Sequence, residues 1–134
     1  MPENGLVTLQ SAYDFATTLD RLTAALEGKG ATIFARIDHA AGAASVALAL
    51  RPATLVVFGN PKGGTPLMQA APTAGIDLPL KALIWQDERG AVHLTYNDPA
   101  WIAARHGLGA AAQQAVGGLA AALAAVAGQA TGTA

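Results

Sequence analysis

The segment TLVVFG, residues 54–59, constrains the fold most strongly, because it is apolar at four successive positions. Side chains of a strand alternate between the two faces of a sheet, so Leu55 and Val57 lie on one face and Val56 and Phe58 on the other. Strands that are apolar on both faces are buried on both sides. The segment therefore predicts a central strand of a sheet.

The other apolar periodicities give the element order β-α-β-α-β-α-β-β-α-α. The predicted strands are Leu6–Gln10, 31–38, 54–59, 80–87 and 91–97, and the predicted helices occupy 11–28, 40–49, 67–71, 98–106 and the C-terminal region. The last two strands are joined by Glu88-Arg89-Gly90, which is a hairpin signal. Such an order predicts an α+β domain with two layers, a mixed β-sheet of about five strands and helices mainly on one face.

Three sequence patterns predict where helices begin. Ser11 followed by Asp14 is typical of a helix N-cap with a capping-box acid. Thr65-Pro66 and Asp98-Pro99 each place a capping side chain directly before a proline at the first helical position. Gly107 is expected to end the helix that begins after Asp98.

The stretch 109–128 carries no charge over twenty residues, which is the length of a membrane span. Most of it is Ala and Gly, and its large apolar residues are spaced three, four and three apart: Val116, Leu119, Leu123 and Val126. That spacing is one stripe of an amphipathic helix, whereas a span is apolar all round. We therefore divide the chain into a domain over 1–108 and a docked Ala-rich helix with a frayed tail over 109–134.

Composition limits the class of partner. The net charge is −1, only 13% of residues are charged, and 52% are hydrophobic. Neither sign clusters, so no basic patch for nucleic acid is predicted. There is no cysteine and no basic, apolar leader at the N-terminus, and we expect a cytoplasmic protein that does not bind membranes.

The loop after the apolar strand, GNPKGGTP, resembles a phosphate-binding loop only superficially. Gly59 and Gly64 have the separation of the P-loop glycines, but Thr65 stands where that loop requires lysine. Two prolines also remove backbone N–H donors from the segment. A strand-to-helix turn accounts for the loop, and a weaker anion site made by Lys62 and free N–H groups at a helix N-terminus stays open as the alternative.

Several blocks of the sequence resemble the family catalogued as domain of unknown function 302. The blocks are ARIDHAAGA (35–43), LRPATLVVFGNP (50–61), FGNPKGGTPLMQ (58–69), DLPLKALIW (77–85) and TYNDPAWIAARHGL (95–108). The likeness runs from about Leu6 to Leu108. It implies a small α+β fold that is often dimeric, and it implies no activity. It draws attention to the positions that match its blocks: Asp38, His39, Phe58, Gly59, Asn60, Pro61, Pro79, Tyr96, Asn97 and Asp98.

Three polar groups stand at the ends of predicted strands and are our candidate site. Asp38 and His39 are candidates for a general acid/base pair, although both are explained locally, Asp38 as the cap of the next helix and His39 as a residue of its first turn. The candidate ligand-binding residues are Asn60, Lys62, Tyr96 and Asn97. Because ligands gather at strand ends, we predict that these three stretches converge.

The histidines His39, His93 and His106 have no metal-ligand spacing, so we predict no metal site and no cofactor. Three functions stay open. The first is a homodimeric module that binds a small molecule, and this class includes anionic ligands. The second is an enzyme acting through Asp38 or His39, and the third is a structural or protein-interaction domain.

Overall fold

A computed structural model describes residues 3–133 of the chain and shows an α+β domain with five strands. The strands are β1 (Leu6–Gln10), β2 (Thr32–Asp38), β3 (Ala53–Gly59), β4 (Leu80–Gln86) and β5 (Val92–Asn97). The α-helices are α1 (Phe15–Gly28), α2 (His39–Ala44), α3 (Pro61–Ala70), α4 (Pro99–His106) and α5 (Gln113–Thr131), with 3-10 turns at Pro72–Asp77 and Ala110–Ala112. The predicted order of elements is confirmed. Met1 and Pro2, the first residues of the predicted domain over 1–108, lie outside the described residues. So does Ala134, the last residue of the predicted helical segment over 109–134.

The sheet has the strand order β1-β5-β4-β3-β2, and all four pairings are antiparallel. The prediction of a mixed sheet is therefore wrong in this detail. The helical segment between β2 and β3 is not a parallel crossover, because α2 has only six residues and β3 returns antiparallel beside β2. The apolar strand β3 has a neighbour on each side, as expected, although β4 is the middle strand.

One face of the sheet forms the main core with α1 and α5. Alternate residues of β3, β4 and β5 are buried there, among them Val56, Ile84 and Leu94, and they pack with Leu22 and Leu26 of α1. A smaller cluster lies where α3, the 3-10 turns and α5 meet, and it contains Leu67, Ala74, Ala112 and Val116. Helices therefore cover one face, as predicted.

The opposite face, which we call the open face, is apolar over β2, β3 and β4. The register places Ile37, Leu55 and Leu83 in one row across these strands, with Ala35, Val57 and the single charged residue Lys81 in the next row. Phe34 follows a shift of register in β2 and is 55% exposed, and Ile37 is 43% exposed. An apolar surface that is interrupted on these three strands only by Lys81 is uncommon on a monomer.

Helix α5 packs as the sequence stripe predicts. Leu123 and Val126 belong to the main core, Val116 belongs to the smaller cluster, and Leu119 contacts both clusters. Ala130 and Thr131, which we expected in a frayed tail, form the last turn and are fully buried.

The same helix also satisfies the length and composition of a membrane span. Within Ala110–Thr131, an 18-residue window has a mean hydropathy of 1.5, and 28% of that window is buried. A core helix of a domain passes the same test, and the buried side of α5 faces the sheet and α1. The helix is thus integrated with the rest of the domain.

The helix starts differ from two of the three predicted patterns. Asp14, not Ser11, caps α1, and its Oδ1 accepts a hydrogen bond from Thr17 N at 2.8 Å. Ser11 N donates to Val92 O and Ala12 N donates to Thr131 O, so these residues are tied to β5 and α5 and the helix begins after them. Asp98 caps α4 and Gly107 ends it with a φ of 64°, as predicted.

The third helix begins five residues earlier than predicted. Asn60 caps α3 and Pro61 is its first residue, so Pro66 lies inside the helix. Asn60-Pro61 and Thr65-Pro66 both fit the pattern of a capping side chain followed by a proline at the first helical position. The contact of α3 with α5 favours the helix that starts at Asn60-Pro61. A Cβ at Gly63 would lie 2.8 Å from Leu119 Cδ2, so α3 approaches α5 closely at a glycine.

Candidate functional site

The predicted site residues occupy two opposite ends of the sheet. In the antiparallel pair β2–β3, Asp38 pairs with Thr54 and Thr32 pairs with Gly59. Asp38 and His39 therefore lie at the end where β3 begins, and Asn60 lies where β3 finishes. The predicted convergence of all three stretches is wrong. Sequence alone did not give the strand directions, and these decide which strand ends are neighbours.

Asp38 and His39 have the local roles that a helix start gives them. Asp38 Oδ1 accepts a hydrogen bond from Ala41 N at 2.9 Å and caps α2, while His39 is the first residue of that helix. Both side chains are exposed. A cleft of 530 Å³ lies at this end of the sheet, between residues 50–53 and the β4–β5 turn, but neither residue lines it. The cleft at this end of the sheet therefore does not include the pair.

The backbone N–H groups that follow Asn60 donate their hydrogen bonds to Asn60 itself. Asn60 Oδ1 accepts from Lys62 N at 3.0 Å, and the N–H groups of Gly63 and Gly64 donate to the Asn60 carbonyl oxygen. Pro61 has no N–H. The first turn of α3 therefore has no free donor for an anion, and the alternative of an anion held by backbone N–H groups is wrong.

Tyr96 and Asn97 lie on opposite faces of β5, as neighbours in a strand do. Tyr96 belongs to the core on the helix side and is 8% exposed. Burial, and then the charge of Asp98, raise the pKa of the Tyr96 phenol. Asn97 shares the sheet end of Asn60, but β4 lies between their strands. Two strand spacings are roughly 10 Å, so Asn97 and Asn60 do not line one pocket.

An apolar cavity lies beside Asn60, and we call it the Asn60 cavity. Its volume is 350 Å³, and its lining comes from the end of β3, from α3 and from the residues that lead into β4. The lining includes Phe34, Asn60, Thr65, Met68, Pro79 and Leu119. Of the six predicted site residues, Asn60 is the one that lines this cavity.

A second cavity adjoins the first on the other side of Leu119, and we call it the lysine cavity. It measures 370 Å³ and lies between the end of α1, the start of α3 and one side of α5. Its charged lining residues are Lys29 and Lys62. Both cavities share Gly59, Asn60, Leu80 and Leu119, so Asn60 and Lys62 of the predicted set are brought together here.

Two histidine–carboxylate pairs were missed in the sequence. His106 Nε2 lies 2.6 Å from Asp77 Oδ2, and its Nδ1 lies 2.9 Å from Thr73 Oγ1. Arg105 Nη1 donates to both oxygens of Asp77, at 3.0 and 3.1 Å. These contacts join the end of α4 to the 3-10 turn before β4. Residues so far apart in sequence leave no local signal.

The other pair lies beside the β4–β5 turn. His93 Nε2 lies 2.8 Å from Asp87 Oδ2, and the His93 ring stacks on Trp85 with centroids 4.4 Å apart. The hydrogen bond to His93 holds the pKa of the Asp87 carboxyl below its ordinary value of 3.8. The predicted hairpin could have located this contact, because it makes β4 and β5 cross-strand neighbours. Within residues 3–133, no group of three or more His, Cys, Asp or Glu side chains could hold a metal ion.

The family is decided by a comparison with known sequence families. The sequence model described as "Domain of unknown function DUF302" matches residues 7–126, which is most of the chain. The chain belongs to the DUF302 family. The match also extends beyond the recognisable blocks and includes α5 from Gln113 to Val126.

Similar proteins support the fold and do not supply an activity. The crystal structure of an uncharacterized conserved DUF302 protein from Bacillus stearothermophilus has a TM-score of 0.84 over 93% of this chain and 97% of that one, at 17% sequence identity. This DUF302 chain is also 47% identical over 114 residues to proteins named fluoride-specific ion channel FluC 1 in Brucella suis and Brucella abortus. The match covers 85% of this chain but only 45% and 42% of those proteins. The chain thus spans less than half the length of these relatives.

Proposed function

We propose that this DUF302 protein is a homodimeric module that binds a small molecule in the Asn60 cavity. The observation that carries the proposal is an apolar cavity of 350 Å³ with a few polar groups at one side. Ligand pockets have volumes of about 300–1,000 Å³, are mostly apolar and contain a small number of polar groups that orient the ligand.

The polar groups available there are the side chains of Asn60 and Thr65. Asn60 uses Oδ1 for the cap of α3, which leaves its Nδ2 as a donor. Phe34 and Met68 supply apolar contact surface, and both are partly exposed, at 55% and 38%. A small molecule bound here buries apolar surface against these side chains and accepts one hydrogen bond from Asn60 Nδ2.

The test is a thermal-shift screen of metabolites, followed by calorimetry of the hits. Thr65→Trp places a large ring in the cavity, and Gln69→Trp is the matched control because Gln69 is exposed on the same helix and does not line the cavity. Hits that bind the control but not Thr65→Trp support the proposal. Hits that bind both variants equally place the site elsewhere, and an absence of hits contradicts ligand binding.

We propose that the open face is the dimer interface, where it packs against a second copy of the chain. A two-fold partner would bring Ile37, Leu55 and Leu83 against the same residues of the other copy. Lys81 lies in the adjacent row, and its Nζ donates a hydrogen bond to Asp77 O. The loop after α2 adds exposed Val46 and Leu48, at 65% and 66%. Apolar surface of this extent, with few charges, fits a lasting dimer better than a monomer.

Light scattering at tens of micromolar protein, roughly the range where a lasting dimer is fully associated, measures the assembly. We expect twice the chain mass of 13.4 kDa. Ile37→Lys should give the monomer, whereas Ala24→Lys, an exposed position on α1, should leave the dimer intact. A wild-type monomer would contradict the dimer, and a dimeric Ile37→Lys variant would place the interface on another surface.

An interaction domain is the second candidate, and the length of the Brucella relatives favours it. More than half of each relative lies outside the segment that this chain matches. A DUF302 domain in such a protein has a covalently attached neighbour to contact. Co-expression of this chain with the unmatched part of the Brucella suis protein tests this function. Copurification supports it, and separate elution contradicts it.

The enzyme alternative gains no support, because Asp38 caps a helix and neither Asp38 nor His39 lines the Asn60 cavity, the lysine cavity or the cleft beside the β4–β5 turn. For the location we propose the cytoplasm, with α5 docked on its own domain. Fractionation of cells that express the chain should leave it in the soluble fraction, and recovery in the membrane fraction would contradict this.

A further inference from the structure

The lysine cavity combines an apolar interior with a positively charged rim. We propose that it binds an anionic amphiphile, a molecule with a hydrocarbon chain of medium length and a carboxylate head. The inference rests on the proposed function, small-molecule binding, and assigns the chemical class of a ligand to the adjoining cavity.

The interior of the lysine cavity accepts a hydrocarbon chain. Its walls are Leu26, Phe58 and Leu80 on one side and small residues of α5 on the other, including Gly118 and Ala122. Small side chains on α5 leave the space that larger ones would fill. A hydrocarbon chain placed there is removed from water at a gain of roughly 25 cal/mol per Å² of buried apolar area.

The rim favours a negative head group. Lys29 and Lys62 line the cavity, both side chains are exposed, and no carboxylate lines it with them. Neither ammonium group makes an ion pair or hydrogen bond with any residue in the range 3–133. Asn60 adds its Nδ2 donor, because its Oδ1 is bonded to Lys62 N. A carboxylate would thus meet two cations and one amide donor, and a cationic head group would be repelled.

The two cavities meet at Leu119, Gly59 and Asn60. The Leu119 side chain lines both spaces, so a chain of medium length fits in the lysine cavity, and a longer chain enters the Asn60 cavity only after Leu119 changes rotamer. The proposed ligand therefore places its head at the lysines and directs its chain toward the interior shared by both cavities.

Calorimetry at low ionic strength with three eight-carbon probes tests the head group: octanoate, 1-octanol and octylammonium. We expect octanoate to bind about tenfold more tightly than octanol, and octylammonium to bind more weakly than octanol. Added salt should reduce the difference because exposed charges are screened. Equal affinities for octanoate and octanol would overturn the assignment of an anionic head.

Charge variants locate the head group. Lys29→Gln and Lys62→Gln should each weaken octanoate binding about threefold and leave octanol binding unchanged. Lys81→Gln is the matched control, because Lys81 lies outside the cavity and its Nζ donates to Asp77 O. Octanoate binding that is insensitive to both lysine changes, or equally sensitive to Lys81→Gln, would overturn the inference.

Substitutions at two adjacent glycines of α5 test whether the hydrocarbon chain lies inside the lysine cavity. A Cβ at Gly118 or at Gly117 meets no atom within 4 Å, so leucine is sterically accepted at both positions. Gly118 lines the cavity and Gly117 does not. Gly118→Leu should therefore abolish octanoate binding, whereas Gly117→Leu should retain it with the same gain in helix propensity.

The failures of this inference and of the proposed function are distinguishable. If ligands from the screen bind and are blocked by Thr65→Trp, while octanoate does not bind, the Asn60 cavity functions and the lysine cavity does not. If octanoate binding survives Gly118→Leu, the chain lies elsewhere and the inference is wrong. If neither octanoate nor any screened molecule binds, both proposals are wrong.

Discussion

Replacing Leu123 of α5 by alanine measures whether that helix belongs to the core. Leu123 is 4% exposed and packs in the main cluster with residues of α1 and the sheet. The change removes three carbon groups, each worth about 0.8 kcal/mol when buried, so the transfer term is about 2.4 kcal/mol. The cavity left behind raises the cost to about 3 kcal/mol. For a domain of this size the midpoint of thermal unfolding should fall by about 10 °C.

Urea unfolding followed by circular dichroism at a fixed protein concentration gives the free energy of unfolding, since assembly makes stability depend on concentration. Gln129→Ala is the control on the same helix, because Gln129 is exposed, and its effect should be within about 0.5 kcal/mol. If α5 is instead loosely attached or leaves the domain for a membrane, Leu123→Ala will be indistinguishable from that control. Such a result would refute the integration of α5 into the domain.

Three further substitutions test the polar contacts. Because the pKa of Asp87 lies below its ordinary value of 3.8, its carboxylate stabilises the fold above that pH, and the contribution is lost as the pH falls through the folded pKa. Denaturant titrations from about pH 5 to pH 2 should therefore show a smaller acid-induced loss of stability in Asp87→Asn than in the wild type, and parallel curves would contradict the role of His93. Asp77→Asn should cost about 2 kcal/mol in urea unfolding, because it weakens the bonds from His106 and Arg105, and a cost near zero would show that this network is not stabilising. Asp38→Ala should cost about 1 kcal/mol through loss of the α2 cap and leave octanoate binding unchanged, whereas lost binding would restore Asp38 as a site residue.

The candidate site was only partly predictable. Asn60 and Lys62 were identified because they follow an apolar strand in a loop of Gly and Pro, where ligand sites are common. Asp38 was identified because it forms a carboxylate–imidazole pair with His39 at the end of a predicted strand, and it lies at the other end of the sheet. Lys29 was missed, because it follows a helix that ends on the solvent side, and only the packing of α1, α3 and α5 brings it to the cavity of Lys62.

The sequence by itself determined the elements and their order. Apolar periods of two and of three to four residues reflect which side of an element is buried, and caps such as Asp98-Pro99 act within one turn, so both are encoded locally. Strand direction is not encoded locally in this way. A strand has the same alternation of apolar and polar residues whether it pairs parallel or antiparallel with its neighbour. Only the tertiary structure decided that β2 and β3 are antiparallel, and hence that Asp38 and Asn60 are apart. The choice of Asn60 over Thr65 as the cap of α3 was also tertiary, since the two signals are locally equivalent and α3 packs closely on Leu119 of α5 through Gly63.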